Sequence, residues 1–266
     1  MAYRSPRITV MAKAAEKAAR SLKRDFGEVE NLQVSKKGPA DFVSAADLKA
    51  EKILKDELKR ARPEFGFLTE EAGIEKGSSP DERWIIDPLD GTTNFLHGLP
   101  HFAISIALEV RGEIVAGVIY DPIKDEMFTA EKGNGAYLND RRIRVSARVA
   151  LETTVVATGT PYLGRGDRGP FLREVNAVMA QTAGIRRWGA AALDLAYVAC
   201  GRYDAFWERD LSSWDVAAGI LMVKEAGGTV SEVEGRPIKL ESPSILCANI
   251  DLHPKMLKLF KESGKY

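Results

Sequence analysis

Histidine and cysteine are scarce in this chain, at 3 and 2 of 266 residues. Two cysteines at this length do not make a disulfide framework, and that suits a reducing compartment. Cys200 and Cys247 each sit in an apolar run (AYVAC and SILCAN) and read as small buried hydrophobes. Excess charge is also missing: 38 basic residues balance 38 acidic ones. Overall charge therefore gives no argument for nucleic acid or an anionic membrane as partner. No apolar run reaches the ~18 residues needed to span a bilayer. The basic, alanine-rich stretch from Ser5 to Phe26 lacks the apolar centre of a secretory signal. Ile8, Met11, Ala15, Ala18 and Leu22 recur there at helical spacing, which predicts an amphipathic helix packed on the body.

What is present is an ordinary globular balance, 45% apolar and 29% charged. Helical and strand patterns alternate without repeats. Ser44 to Arg62 reads as a helix with a stripe of Ala50, Ile53, Leu54, Leu58 and Ala61, opened by a capping-box pattern from Ser44 to Asp47. Strands are expected at Phe65–Thr69 and Arg83–Ile86, and a hairpin around Arg111-Gly112 joins His101–Val110 to Glu113–Tyr120. A turn at 133–135 leads into Ala136–Leu138. Further on, helices are expected near 169–182, 190–200, 214–226 and 251–262. Strands are expected near 203–207, 229–232 and 245–248. That mixture predicts stacked α and β layers.

The chemistry concentrates in Trp84-Ile85-Ile86-Asp87-Pro88-Leu89-Asp90-Gly91-Thr92-Thr93-Asn94. An apolar strand runs into Asp87, and Pro88 is expected to end its ladder. Asp90 follows three residues later, and Gly91 lets backbone approach a ligand. Thr92 can open a helix whose amides suit phosphate. Glu70 closes another strand, and Asp215 opens an apolar helix. Each has a plain alternative: Glu70-Glu71 as a solvated surface pair, Asp215 as a helix cap. Four carboxylates brought into one pocket would have to protonate or bind cations. With only oxygen donors in these motifs, Mg²⁺ suits them better than Zn²⁺, with Mn²⁺ as a substitute. His97 and His101 read as structural.

Asp87-Pro-Leu-Asp90-Gly-Thr-Thr, with Trp214-Asp215-Val-Ala-Ala-Gly and Lys-Glu-Ala-Gly-Gly, resembles the two signatures of the inositol monophosphatase family. Lys36 to Asp47 is similar to its N-terminal loop and helix, and Arg186 to Glu208 to its substrate-side segment, so the likeness covers nearly the whole chain. It implies an α+β fold, a layered αβαβα sandwich, as one domain over 1–266. A metal and phosphate half would take about 1–145 and a substrate half about 146–266. It further implies a cytoplasmic, Li⁺-sensitive, homodimeric enzyme that hydrolyses a small phosphate monoester. Glu70, Asp87 and the Leu89 carbonyl would hold one Mg²⁺, and Asp87, Asp90 and Asp215 a second. Glu70 would touch a third, weaker ion. The Gly91 and Thr92 backbone would hold phosphate next to Asp90, and Thr92 with Asp47 would orient the attacking water, with Glu70 beside it. Gly189, Ala190, Ala191 and Glu208 would bind substrate hydroxyls.

Within that family, Thr92-Thr93-Asn94-Phe95 resembles the form that acts on inositol monophosphate. The forms acting on fructose 1,6-bisphosphate, 3′-phosphoadenosine nucleotides, histidinol phosphate or NADP are the alternatives. A regulatory binding protein with secondary phosphatase activity is a further one. Trp188, bulky where many relatives are small, bears on substrate preference or on a dimer interface.

Overall fold

The structure is a computed structural model that describes residues 4–28, 34–38, 41–162, 164 and 166–264. Helix α1, Pro6–Phe26, starts where the Ser5 hydroxyl accepts the Ile8 amide and Pro6 fills the first turn. All five residues of its expected stripe are buried. A short hairpin, β1 (Val34–Gly38) and β2 (Asp41–Ser44), leads to α2, Ala45–Ala61, which buries Ala50, Leu54 and Leu58. Pro39, Ala40 and the side chains of Lys36 and Lys37 lie outside the described residues.

An eight-stranded sheet follows. Its members are β3 (Gly66–Thr69), β4 (Gly73–Glu75), β5 (Glu82–Asp90), β6 (Ala103–Val110), β7 (Glu113–Asp121), β8 (Glu126–Glu131), β9 (Gly135–Leu138) and β10 (Arg141–Arg142), in the order 10-9-8-7-6-5-3-4. Helix α3, Thr92–Leu96, interrupts it after β5. The β6–β7 hairpin turns at Arg111 and Gly112, with φ of 52° and 77°. Two left-handed residues match a tight turn to the twist of its strands.

A five-stranded sheet holds β11 (Val155–Thr158), β12 (Gly184–Arg186), β13 (Ala205–Arg209), β14 (Gly228–Ser231) and β15 (Ser244–Asn249), in the order 12-11-13-15-14. Its connecting helices are α4 (Arg168–Met179), α5 (Ala191–Ala199) and α6 (Ser213–Glu225), and α7 (His253–Ser263) follows its last strand. Helices α1 and α2 cover one face of the large sheet, α5 and α6 fill the space between the sheets, and α4 and α7 close the far face of the small one. The result is the αβαβα sandwich expected from the sequence.

Strand periodicity sorts side chains into the three interfaces. From β5 and β6, Trp84, Ile86, Ile104, Ile106 and Leu108 face α1 and α2, whereas Ile85, Ala103 and Ala107 face α5 and α6. From β13 and β15, Phe206 and Cys247 turn inward, and Trp207 and Leu246 pack toward α4 and α7. The middle face is lined with small residues, so α6 lies close to both neighbours. A Cβ on Gly219 would fall 2.4 Å from Leu195 Cδ1 of α5.

One expectation needs correcting. Pro88 does not end β5. The pairing with β6 runs to Asp87, opposite Ser105, then skips Pro88 and Leu89 and resumes at Asp90, opposite Ala103. This bulge accommodates a proline inside a ladder because the missing N–H falls at an unpaired position.

Candidate active site

Alternation along β5 places Asp87 on the same face as Ile85, toward α5 and α6. The parallel pairing of β3 with β5 sets Thr69 opposite Ile86, and the Glu70 amide then donates to the Ile86 carbonyl at 3.2 Å. Glu70 therefore leaves its strand beside Asp87. Across the middle layer, Asp215 is the third residue of α6, and its Oδ2 accepts the Ser212 amide at 2.7 Å. The capping reading is thus true of Asp215, but its charge also reaches Asp87 and Asp90.

Asp87 and Asp90 are 2% and 9% exposed. Both carboxyls are held well above the ordinary carboxylate range. For Asp87, burial is the main cause, followed by the charges of Glu70, Asp90 and Asp215. For Asp90, burial again leads, then Asp215, with Glu208 and Glu70 adding to it and the Ala192 amide opposing. The structure thus brings Glu70, Asp87, Asp90 and Asp215 into one electrostatic unit. Among the described residues, no three or more His, Cys, Asp or Glu side chains already converge as a finished metal cage. Asp87 Oδ1 accepts the Leu89 amide at 2.9 Å and Asp90 Oδ2 the Ala192 amide at 2.7 Å.

The Asp90–Ala192 bond does more than neutralise. It ties the end of β5 to the first turn of α5, in the segment that holds Gly189, Ala190 and Ala191. Helices α5 and α6 both begin beside the acids, and their N-terminal ends favour negative charge there. A second tie was not foreseen from the sequence. Buried Asn94, in α3, donates its side-chain amide to the His101 carbonyl at 2.8 Å and to the Trp188 carbonyl at 2.7 Å.

Gly91 sits at φ 94°, where a Cβ would meet the His101 carbonyl at 3.1 Å and the Gly189 carbonyl at 3.3 Å. Only glycine holds that conformation and that close approach without strain. The chain then enters α3, whose five residues make its first amides, rather than a helix dipole, the useful feature. The Thr92 hydroxyl lies 2.9 Å from Asp47 Oδ1 and 3.1 Å from the Leu89 carbonyl oxygen. Asp47 is 1% exposed in the first turn of α2. The residue read as part of a capping box therefore also faces the hydroxyl expected to work with it.

Glu208, on β13, is half-buried, and its carboxylate lies against Gly159: a Cβ there would fall 1.8 Å from Oε1. Trp188 is 51% exposed, its ring 5.3 Å from that of His101. His101 itself is buried, and burial lowers its imidazole to about 4. It is a neutral packing residue, as expected.

The layers alternate in an α+β sandwich, with an acidic centre at strand ends and two helix starts beside it. A profile of the inositol monophosphatase family matches residues 4–265. The chain belongs to that family, and it is a phosphoric monoester hydrolase. It is 61% identical to an inositol-1-monophosphatase of Rhizobium meliloti over 246 residues, 92% of each chain. It is 45% identical over 248 residues to the Nus factor SuhB of Pseudomonas aeruginosa, again 92% of each. Among solved structures, the extragenic suppressor protein suhB of Bartonella henselae superposes with a TM-score of 0.95 at 58% identity, covering 97% of this chain and 99% of that one. The Thermotoga maritima IMPase superposes with a TM-score of 0.89 at 36% identity, covering 98% and 99%.

Proposed function

We propose that this protein hydrolyses a polyol monophosphate of the myo-inositol 1-phosphate kind with the help of Mg²⁺. The observation that carries the reading is the carboxylate set, with Asp87 and Asp90 buried, beside the Thr92–Asp47 pair. Its donors are all oxygen, and burial and mutual repulsion disfavour its full charge until a hard cation offsets it, so the residues fit Mg²⁺. Glu70, Asp87 and the Leu89 carbonyl would hold one ion, and Asp87, Asp90 and Asp215 a second, with Glu70 also reaching a weaker third. Bound there, the cations would supply Lewis-acid charge to the phosphoryl group and to the departing alkoxide.

The protein's own groups do the rest. With its proton directed to Asp47, the Thr92 hydroxyl turns its lone pairs toward a water and can take that water's proton while passing its own to Asp47, as the water attacks phosphorus. The amides at Gly91 and Thr92 approach the phosphate, which the left-handed Gly91 permits. Gly189, Ala190, Ala191 and Glu208 meet the hydroxyls of the leaving group. In this reading the chain works as one domain and a homodimer in the cytoplasm, where its free Cys200 and Cys247 are at home.

A Mg²⁺-supplemented substrate panel tests it: inositol 1-phosphate, glycerol 2-phosphate, fructose 1,6-bisphosphate, histidinol phosphate and a 3′-phosphoadenosine nucleotide, each with and without Li⁺. Inositol 1-phosphate should be turned over well, and Li⁺ should inhibit. Poor turnover of it with good turnover of another member sinks the substrate, and full activity in EDTA sinks the cation. Relatives named Nus factor SuhB favour a second, regulatory reading. That would show as a cellular function that survives Asp90→Asn.

A further inference from the structure

All nine residues of helix α5 are buried, yet one of them is an acid. Asp194 is 1% exposed, and neither of its carboxyl oxygens has a hydrogen-bond partner in the protein. A buried carboxyl without a hydrogen-bond partner is costly against an apolar residue of similar shape. Nothing in the packing calls for it: its neighbours Leu193 and Leu195 are fully buried hydrophobes.

Its surroundings are specific. Of the charged groups around it, Glu208 acts most strongly, ahead of Asp90, and Arg187 acts in the opposite sense. Burial and those two acids hold Asp194 well above the ordinary carboxylate range. α5 packs on β11, β13 and β15. The Asp194 amide closes the first turn of α5 on the Ala190 carbonyl at 3.0 Å, two residues past the Ala192 amide that anchors Asp90. Asp194 therefore sits in the helix whose start anchors Asp90 and which packs on the strand of Glu208, the strongest of the charges acting on it. Glu208 is confined from the other direction by Gly159.

We propose that Asp194 is a positioning residue: its buried carboxyl braces Glu208, through one bridging water, in the orientation that receives the leaving group's hydroxyls. This rests on the polyol reading above. Asp194 touches no reacting atom; it fixes where the acceptor points.

The test compares Asp194→Asn, Asp194→Leu, Glu208→Gln and the Asp194→Leu/Glu208→Gln double variant. Substrates are inositol 1-phosphate and para-nitrophenyl phosphate, which lacks hydroxyls. Leucine removes the hydrogen bond at similar volume. It should raise KM for inositol 1-phosphate about tenfold, the equivalent of one lost hydrogen bond. It should leave kcat and the aryl substrate nearly unchanged, and it should keep or raise Tm. Asparagine, which can still donate, should restore KM. In the Glu208→Gln background, leucine should add nothing. An equal loss on both substrates with a lower Tm makes Asp194 structural and overturns the proposal. So do an unchanged KM, additivity with Glu208→Gln, or an asparagine variant as impaired as leucine. If Glu208→Gln leaves polyol KM untouched, or the wild type ignores every polyol phosphate, the underlying reading has failed instead.

Discussion

Asp90→Asn separates the two jobs of this carboxylate with opposite signs in one assay. Asparagine keeps an oxygen for the Ala192 amide, so the tie between β5 and α5 survives. What disappears is a negative charge facing Asp215, Glu208 and Glu70. Two like charges ~5 Å apart at an effective dielectric near 20 repel by about 3 kcal/mol. Partial protonation already relieves part of that, leaving about 1–2 kcal/mol to gain. In EDTA the variant should therefore melt about 2–8 °C higher than wild type, since 1 kcal/mol moves a chain of this size about 2–4 °C. With Mg²⁺ at 100 times its Kd, wild type should gain about 2.7 kcal/mol, or about 5–10 °C. The variant should lose most of that gain along with about 10²–10³ in kcat, the scale set by removing one preorganised electrostatic contact. Differential scanning fluorimetry in EDTA and in Mg²⁺, with phosphate release measured in parallel, reads all three. A variant that melts lower in EDTA, or keeps both its Mg²⁺ shift and its turnover, refutes the reasoning.

Three further outcomes are expected. Thr92→Val preserves shape but removes the hydroxyl between Asp47 and Leu89, so kcat should fall about 10²–10⁴-fold with KM little changed, and Thr92→Ser should recover most of it in steady-state assays. Gly91→Ala places a Cβ at φ 94° against two carbonyl oxygens, so it should cost about 1–3 kcal/mol in chemical denaturation and abolish turnover by shifting the phosphate-side amides. The third concerns His101, whose folded pKa is depressed to about 4. Its contribution is present above the unfolded value near 6.5 and is lost as pH falls from there through about 4. The loss should amount to at most about 3 kcal/mol, and His101→Leu should flatten the Tm–pH curve over that window.

Long, strongly periodic segments were legible in advance, because helix and strand periods leave a repeated imprint. The stripe of α1, the β6–β7 hairpin and helices α5 to α7 stand within a few residues of their expected places. β4, β10, β11 and β12, with two to four residues each, carry too little pattern to be read, and β8 went unread despite its six. Pro88 misled because its rule concerns a paired ladder position, and only the register against β6 reveals the bulge. Asp194 was visible as a lone acid in AALDLAYVAC. Asn94 gave no such signal: asparagine after two threonines reads as a helix start, and its partners His101 and Trp188 become neighbours only in the folded chain.

The sequence by itself determined the chemical kind of this protein. Oxygen donors without histidine or cysteine are the kind that suit a hard cation, and a Gly-Thr-Thr turn after a strand is the kind that offers amides to an anion. The tertiary structure alone decided how those groups share work. It paired Thr92 with Asp47 across 45 residues, hung Asp90 on an amide 102 residues away, and set Asp215 as both helix cap and member of the acid cluster. It also left Asp194 buried without a partner. Residue type is a local property, but electrostatic energy depends on distance and burial, and those exist only once the layers have closed.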